Sequence, residues 1–172
     1  MATTTQEVQA THVTDMLRKD HKKVKGLFKK FQKTNRAEEK REIVETVLTE
    51  LEIHAELEEQ LIYPAVRPKM KDDDLMDEAL EEHHVVHGVI EELKEMEPGD
   101  ERYDAKFTVL GELCKHHIKE EEEEMLPKAE KQDIDWGRLY EKVVQRKEQL
   151  MEGNGLTSTN GKNPKSGARK KK

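Results

Sequence analysis

The sequence has little of what three common classes of protein require. Its 172 residues include one cysteine, Cys114, so an internal disulfide is excluded and a reducing compartment is indicated. No apolar run reaches the roughly 18 residues that a membrane span needs, and the N-terminal residues lack the apolar core of a signal peptide. Aromatic residues make up only 4% of the chain, so the core must be aliphatic and modest. We therefore expect a cytoplasmic protein that does not enter a membrane.

Charge is abundant and unevenly distributed. Charged residues make up 40% of the chain, and the mixture of Glu, Lys and Leu with few prolines favours a helical bundle. Residues 153–172 hold six basic residues and no acidic ones, which leaves 25 basic against 38 acidic residues in the rest of the chain. This end is rich in Gly, Asn, Ser and Lys and cannot form a core. We expect one domain over residues 1–152, followed by a disordered basic tail over residues 153–172.

The spacing of apolar residues predicts four long amphipathic helices and a shorter fifth one. Short connections between long helices imply an all-α, up-down-up-down four-helix bundle, with the fifth helix packed outside it. The bundle core would span about residues 13–131. The predicted helices are residues 13–32, 37–66, 75–96, 102–131 and 135–151.

One short motif occurs twice in the chain. A histidine is followed by a glutamate four residues later and by a proline ten residues later, and the second copy lies 63 positions after the first. A single His-x-x-x-Glu pair is common by chance in a Glu-rich helix, but a repeat of all three positions calls for a shared role. The two copies are His54, Glu58, Pro64 and His117, Glu121, Pro127.

Histidines and glutamates interrupt the apolar stripe of every long helix, and only in its middle. Counting residues to and from each turn at about 1.5 Å per residue places these interruptions within about one helical turn of a common level. An unpaired buried carboxylate costs several kcal/mol, and bound cations would remove that cost. The number of donors suits two metals with bridging carboxylates better than one tetrahedral zinc. The candidate metal ligands are His21, His54, Glu58, His83, His87, His117 and Glu121.

Neighbouring residues test the helical phase. His84 and His116 are each rotated by about 100° from the core line that His83 and His117 share, so we expect them to lie on the flank. Glutamates at 122–124 also lie mostly off the core line, and we expect them to form a solvated face. For Tyr63 and Cys114 the default reading is packing, with a hydrogen-bonding or redox role near the metals as the alternative.

Four motifs, in order, resemble those of the hemerythrin-like family, specifically its HHE cation-binding domain. The resemblance covers about residues 13–131. Two motifs join an acidic residue and a histidine to an apolar pattern, and two have the form H-x-x-x-E-E followed by proline. They are "DHKKVKGLFKKF" (20–31), "EHHVVHGVIEEL" (82–93), "HAELEEQLIYP" (54–64) and "HHIKEEEEEMLP" (116–127).

The resemblance implies a nonheme di-iron site inside a four-helix bundle, with an oxo or hydroxo bridge in the oxidised form. Two iron ions would be held by histidines and bridged by two glutamates. The last carboxylate departs from the oxygen carriers of the family, because it is a Glu four residues after its His rather than an Asp. The implied assignment is His21 and His54 to one iron, His83, His87 and His117 to the other, and Glu58 and Glu121 as bridges.

Three functions remain open from the sequence. The first is a di-iron protein that binds or senses O₂ or a related small ligand, since a His-rich shell carries little negative charge and favours reversible binding. The second is an enzyme that oxidises ferrous iron or decomposes peroxide or nitric oxide at the same centre. The third is a protein with a structural metal whose basic tail contacts nucleic acid, although no aromatic residues alternate with the basic ones there. We expect nucleic-acid contact, if any, only through that tail.

Overall fold

The structure, a computed structural model, describes residues 3–155, with side chains from residue 12 onward. All regular elements in that range are helical, and two of the long rods contain one π-helical turn each. The elements are α1 (Thr3–Lys33), α2 (Ala37–Leu57), π1 (Glu58–Ile62), α3 (Tyr63–Met70), α4 (Asp73–Lys94), α5 (Tyr103–Glu120), π2 (Glu121–Met125), α6 (Leu126–Glu130) and α7 (Trp136–Gly153).

The elements assemble as a four-rod bundle with one further helix. The succession α2, π1 and α3 forms one continuous rod, and α5, π2 and α6 form another. Helix α1 packs against α2 and α5, α4 packs against α5 and α2, and α7 lies across α1 and α2. The predicted all-α four-helix bundle with an extra C-terminal helix is confirmed.

The apolar core is divided into two clusters by a polar layer. On α1, Leu17 belongs to one cluster and Val24 to the other, and His21 lies between them. Helix α4 repeats the arrangement with Ala79 and Ile90 on either side of the same layer. The first cluster also contains the buried side chains that α7 supplies, which are Trp136, Leu139 and Val143. Polar side chains therefore replace apolar packing at mid-height of the bundle, where the candidate ligands lie.

Two predicted helix ends were wrong. Helix α1 begins at Thr3 rather than near Val13. The prediction missed this part of the helix because residues 3–11 contain few apolar residues and give no periodic signal. The second rod continues to Met70 with Pro68 inside it, four residues past the predicted end at residue 66. A proline removes one helical hydrogen bond but does not by itself force a stop. The rod ends where Lys71 takes a left-handed conformation with φ of 55°.

Other predictions concern the chain outside the bundle. Among residues 3–155 no helix is long and apolar enough to cross a membrane. The predicted disordered tail begins at residue 153, and from residue 156 onward it lies outside the described residues. Asp72 accepts a hydrogen bond from the backbone N–H of Leu75 and caps the N-terminus of α4.

Candidate metal centre

Four histidines meet in the polar layer, one from each rod of the bundle. His21 comes from α1, His54 from α2, His83 from α4 and His117 from α5, and all four are buried. The Nε2 atoms of His21 and His54 lie 3.2 Å apart, and those of His83 and His117 lie 3.1 Å apart. We call His21 and His54 the first pair, and His83 and His117 the second pair. Each pair belongs to one helical hairpin.

A fully buried carboxylate, that of Glu58, connects the two pairs. Its side chain is 0% exposed. Its Oε1 lies 2.9 Å from Nε2 of His54 in the first pair, and its Oε2 lies 3.1 Å from Nε2 of His83 in the second pair. One oxygen therefore faces each pair, which is the geometry that a bridging carboxylate needs.

Glu121 is a second buried carboxylate that connects the pairs. It is 1% exposed, and its Oε2 lies 3.1 Å from Nε2 of His21 and 3.8 Å from Nε2 of His117. The two carboxylates and four imidazoles thus bring six donors together. Two overlapping groups of donors are close enough to hold a metal ion: His21, His54, Glu58 and Glu121 form one, and Glu58, His83 and His117 form the other.

Both carboxylates start a π-helical turn. Glu58 is the first residue of π1 and Glu121 the first of π2. Pro64 and Pro127 follow at the start of α3 and α6, and the ring of a proline collides with the carbonyl four residues earlier in a regular α-helix. A widened turn before each proline lets the rod continue, and single π turns of this type are frequent at functional sites. The repeated proline of the sequence motif therefore accompanies a local widening of the helix at the carboxylate.

Each of the four imidazoles also contacts a second, outer carboxylate through Nδ1. A carboxylate only accepts hydrogen bonds, so we assign the proton of each ring to Nδ1, from which it is donated outward. The Nε2 lone pairs then point into the layer. The Nδ1–oxygen distances are 2.9 Å for His21 to Glu122, 3.4 Å for His54 to Asp20, 2.8 Å for His83 to Glu59 and 2.6 Å for His117 to Glu82.

This tautomer leaves the centre of the layer short of positive charge. Lone pairs of neighbouring Nε2 atoms face one another, and they also face the carboxylates. Among the residues with described side chains, Glu58 Oε1 and Glu121 Oε2 are buried and accept no hydrogen bond. Buried carboxylate oxygens without partners are costly, and two kinds of positive charge can relieve that cost: protons on Nε2, or metal cations. The donor set therefore fits bound cations.

The pKa shifts of the metal-free site also show that its centre favours bound positive charge. Burial lowers the pKa of His54, but the charge of Glu58 and the hydrogen bond to Asp20 outweigh it and raise the value well above the usual one. Burial also opposes protonation of His83, yet its contacts with Glu58 raise its pKa to about 9. Glu58 itself is held well below its usual pKa, because its histidine neighbours outweigh the burial that would raise it. Without metal, protons occupy these positions.

Tyr63 closes the side of the layer next to the carboxylates. Its hydroxyl lies 3.1 Å from Glu121 Oε1 and 3.5 Å from Glu58 Oε2, and the residue is buried. Burial, followed by the charges of these two glutamates, raises the pKa of Tyr63 well above its usual value. The phenol therefore stays protonated and donates a hydrogen bond toward the carboxylates. The hydrogen-bonding alternative considered for Tyr63 describes its position better than packing alone.

Comparison with known families agrees with this geometry. The family model described as "Hemerythrin HHE cation binding domain" matches residues 12–129, more than half of the chain and the whole stretch that carries the six donors. The chain belongs to the hemerythrin HHE family. The resemblance inferred from the four motifs is confirmed, and so is a cation-binding domain with His/Glu groups capable of holding metal.

Two relatives set the scale of the similarity. A hemerythrin HHE cation-binding-domain protein from Mycobacterium kansasii, of known crystal structure, has a TM-score of 0.68 and 27% identity, covering 81% of this chain and 86% of its own. A DNA nickase from Nostoc sp. strain PCC 7120 is 28% identical over 114 residues, or 66% of this chain. That match covers 32% of the nickase, so the chain corresponds to about a third of that protein's length.

The HHE domain brings six of the seven predicted ligands together and leaves one outside. His87, one turn after His83, is exposed and groups with Glu52 and Glu91 instead. Those two glutamates already share the ammonium group of Lys94 as an ion-pair partner. The arrangement thus gives His87 a place on the rim of the site rather than among the six donors.

The choice between adjacent histidines agrees with the observed helical phase. His83 and His117 are buried in the layer, whereas His84 and His116 are exposed on the helix flanks. His116 lies close to Glu82 and Glu120 at the surface, with Nε2 distances of 3.3 and 3.2 Å. The rotation of about 100° between consecutive helical residues accounts for the difference.

The outer carboxylates were missed from the sequence, and one expectation about them was wrong. Glu122 was expected to belong to a solvated face, but it is half-buried and accepts a hydrogen bond from Nδ1 of His21. A signal was present, because both H-x-x-x-E motifs continue with a second glutamate, and an acidic residue precedes both His21 and His83. The outer set is Asp20, Glu59, Glu82 and Glu122.

A cavity of about 450 Å³ lies on the imidazole side of the HHE centre. All four buried histidines border it, and apolar residues from the second core cluster, such as Val24 and Ile90, line much of the rest. Exposed His84 and His87 belong to its rim. Cys114 also borders it, and burial raises the pKa of its thiol to about 12, which favours the packing interpretation over thiolate chemistry.

Proposed function

We propose that this protein is a nonheme di-iron protein that binds O₂ or a related small ligand. The observation that carries the proposal is the inner layer, in which the Nε2 atoms of four histidines and two buried carboxylates converge. Two bridging carboxylates between two imidazole pairs suit two metal ions. Each ion would be held by one histidine pair, with Glu58 and Glu121 shared between them.

Iron is the metal that the donor set favours. Neutral imidazole and carboxylate together suit iron, whereas structural zinc takes four ligands in a closed tetrahedron. The outer carboxylates hold each ring in its ligand tautomer and increase its basicity, and they complete the site as second partners usually do. Iron, when bound, would supply reversible one-electron chemistry and an open position for a ligand.

The cavity supports a small exogenous ligand. It lies against the imidazole side and is not lined by Glu58, Glu121 or Tyr63. Its walls are largely apolar, which suits an uncharged diatomic molecule, and Asp20 and the glutamates at 52, 56 and 59 also border it. A molecule of liquid water has a volume of about 30 Å³, so a ligand of similar size has ample room. The protonated phenol of Tyr63 and the neutral thiol of Cys114 add no negative charge next to the metals. Four of the six inner donors are neutral imidazoles, and such a donor set favours ligand binding over high-valent oxidation chemistry.

The DNA nickase does not extend this proposal to DNA cleavage. Its activity is that of a protein about three times as long as the matched stretch. Contact of the basic tail with nucleic acid stays a prediction for residues 153–172, and so does the cytoplasmic location.

Reconstitution with ferrous iron under anaerobic conditions tests the proposal. We expect about two iron ions per chain by elemental analysis, and a visible absorption band that appears in air and disappears when O₂ is removed. Glu121→Ala should lose one or both ions, whereas Glu123→Ala, a change of the same type on the exposed face, should keep both. At most one iron per chain would refute the dinuclear centre. An irreversible spectral change with turnover of added ferrous iron, peroxide or nitric oxide would favour the enzyme alternative.

A further inference from the structure

Helix α7 reaches the metal centre through one lysine, although it lies outside the stretch that the family model matches. Lys147 Nζ lies 2.6 and 2.8 Å from the two carboxylate oxygens of Asp20. The side chains are 19% and 15% exposed, so water screens the ion pair only partly. Asp20 is in turn the outer carboxylate of His54. The C-terminal helix is therefore linked to a candidate metal ligand through two contacts.

The outer hydrogen bond at Asp20 is the longest of the four. It measures 3.4 Å, whereas the other three measure 2.6–2.9 Å. Glu82 holds the equivalent place in the second half of the repeat, preceding His83 as Asp20 precedes His21, and it binds His117 at 2.6 Å. Among the residues with described side chains, no lysine or arginine forms an ion pair with Glu82. Glu122 lies 3.8 Å from Lys25, beyond hydrogen-bond distance. Asp20 is thus the outer carboxylate that a lysine contacts at hydrogen-bond distance, and its bond to its histidine is the longest of the four.

A competition for the carboxylate explains this difference. Both oxygens of Asp20 accept from Lys147, and a charge-assisted bond of 2.6 Å outweighs one of 3.4 Å to an imidazole N–H. A carboxylate that accepts strongly from Nδ1 makes Nε2 a better metal donor, and a neutralised carboxylate does so less.

We propose that Lys147 is a positioning residue that draws Asp20 away from His54 and thereby weakens His54 as a metal donor. The position at the first histidine pair would then bind metal less tightly than it would without the lysine. The position at the second pair has no such competitor, because among the residues with described side chains no lysine or arginine pairs with Glu82. The inference rests on the proposed dinuclear centre and adds to it a control on the affinity of one position by a helix outside the matched domain.

Lys147→Met is the direct test, because methionine keeps the length of the stem and removes the charge and the donor. With Zn²⁺ as a diamagnetic probe, the wild-type protein should show two binding steps in a chelator competition. Lys147→Met should tighten one of the two steps about tenfold, the low end of the range for partners of metal ligands, and leave the other unchanged. The Nδ1–H proton resonance of His54 should move downfield as its hydrogen bond shortens, while those of the other three ligand histidines stay in place.

Arg146→Met is the matched control. Arg146 precedes Lys147 on α7 and pairs with Glu56 of α2, with Nε 3.1 Å from Oε1, but it touches no outer carboxylate. It should leave both zinc steps and all four imidazole resonances unchanged. Lys147→Arg should restore wild-type behaviour, and Lys147→Gln serves in place of the methionine variant if that variant fails to fold.

A double-mutant cycle distinguishes an effect of Lys147 that passes through Asp20 from a general effect on folding. Asp20→Asn should weaken the same step by about 10- to 100-fold, and Lys147→Met should have no effect on top of it, because the lysine acts only through Asp20. Equal changes at both steps, or equal effects of Lys147→Met and Arg146→Met, would overturn the inference while leaving the dinuclear centre intact. Fewer than two zinc ions bound by the wild-type protein would instead refute the proposed function.

Discussion

Replacing Glu122 with alanine should weaken metal binding even though Glu122 lies in a run of five consecutive glutamates. Its carboxylate accepts the Nδ1 proton of His21 at 2.9 Å and so fixes the ring with Nε2 pointing inward. Loss of such a partner typically costs 10- to 100-fold in metal affinity, or about 1.4 to 2.7 kcal/mol. The side chain is 30% exposed, so water can take over part of its role. We therefore expect about a tenfold loss, at the lower end.

The same reasoning predicts which variants lose more metal affinity. Glu82 is less exposed, at 19%, and its bond to His117 is the shortest of the four, so Glu82→Ala should cost more than Glu122→Ala. Glu123→Ala is the control, because Glu123 is exposed and belongs to the same run. Affinities would be measured by competition with a chromophoric chelator under anaerobic conditions, after thermal unfolding of each metal-free variant shows an intact fold. Equal affinities for Glu122→Ala and Glu123→Ala would refute the role assigned to the outer carboxylates.

Three further outcomes follow from the inner layer. His87→Ala should keep two metal ions per chain, because His87 is exposed, whereas His83→Ala should lose at least one; elemental analysis showing equal losses would place His87 among the ligands. Tyr63→Phe should lower the free energy of unfolding of the metal-free protein, measured in urea, by about 1–3 kcal/mol, because Glu58 and Glu121 lose a hydrogen-bond donor. The loss should be smaller once metal is bound, and equal losses in both forms would contradict this. The pKa of His83 is raised from 6.5 to about 9, so its contribution to stability is complete below pH 6.5 and lost as pH rises through 9. Urea unfolding of the metal-free protein should show this decline, and a flat or rising profile would disprove it, while metal affinity should rise with pH because binding displaces protons.

Much of the site could be predicted from the sequence because its information is local and repeated. A helix fixes direction at 100° per residue, so an apolar stripe interrupted by His83 and not by His84 already indicates which ring points inward. Counting residues from each turn brings four helices to one level, because the rise per residue is constant. The cost of burying Glu58 and Glu121 without partners then indicates cations. These steps need only spacing and chemistry, and they yielded six donors that the structure brings together.

The tertiary structure decided what depends on contacts between distant helices. The proton of each imidazole is assigned by a carboxylate from another rod, such as Glu122 for His21, and no spacing along one helix reveals that partner. His87 satisfies the helical spacing, but the side chain is exposed at the rim where α2 and α4 meet. Lys147 and Asp20 lie 127 positions apart, and only the docking of α7 on α1 brings them together. Periodicity specifies the direction of a side chain, whereas its hydrogen-bond partner is set by the packing of the helices.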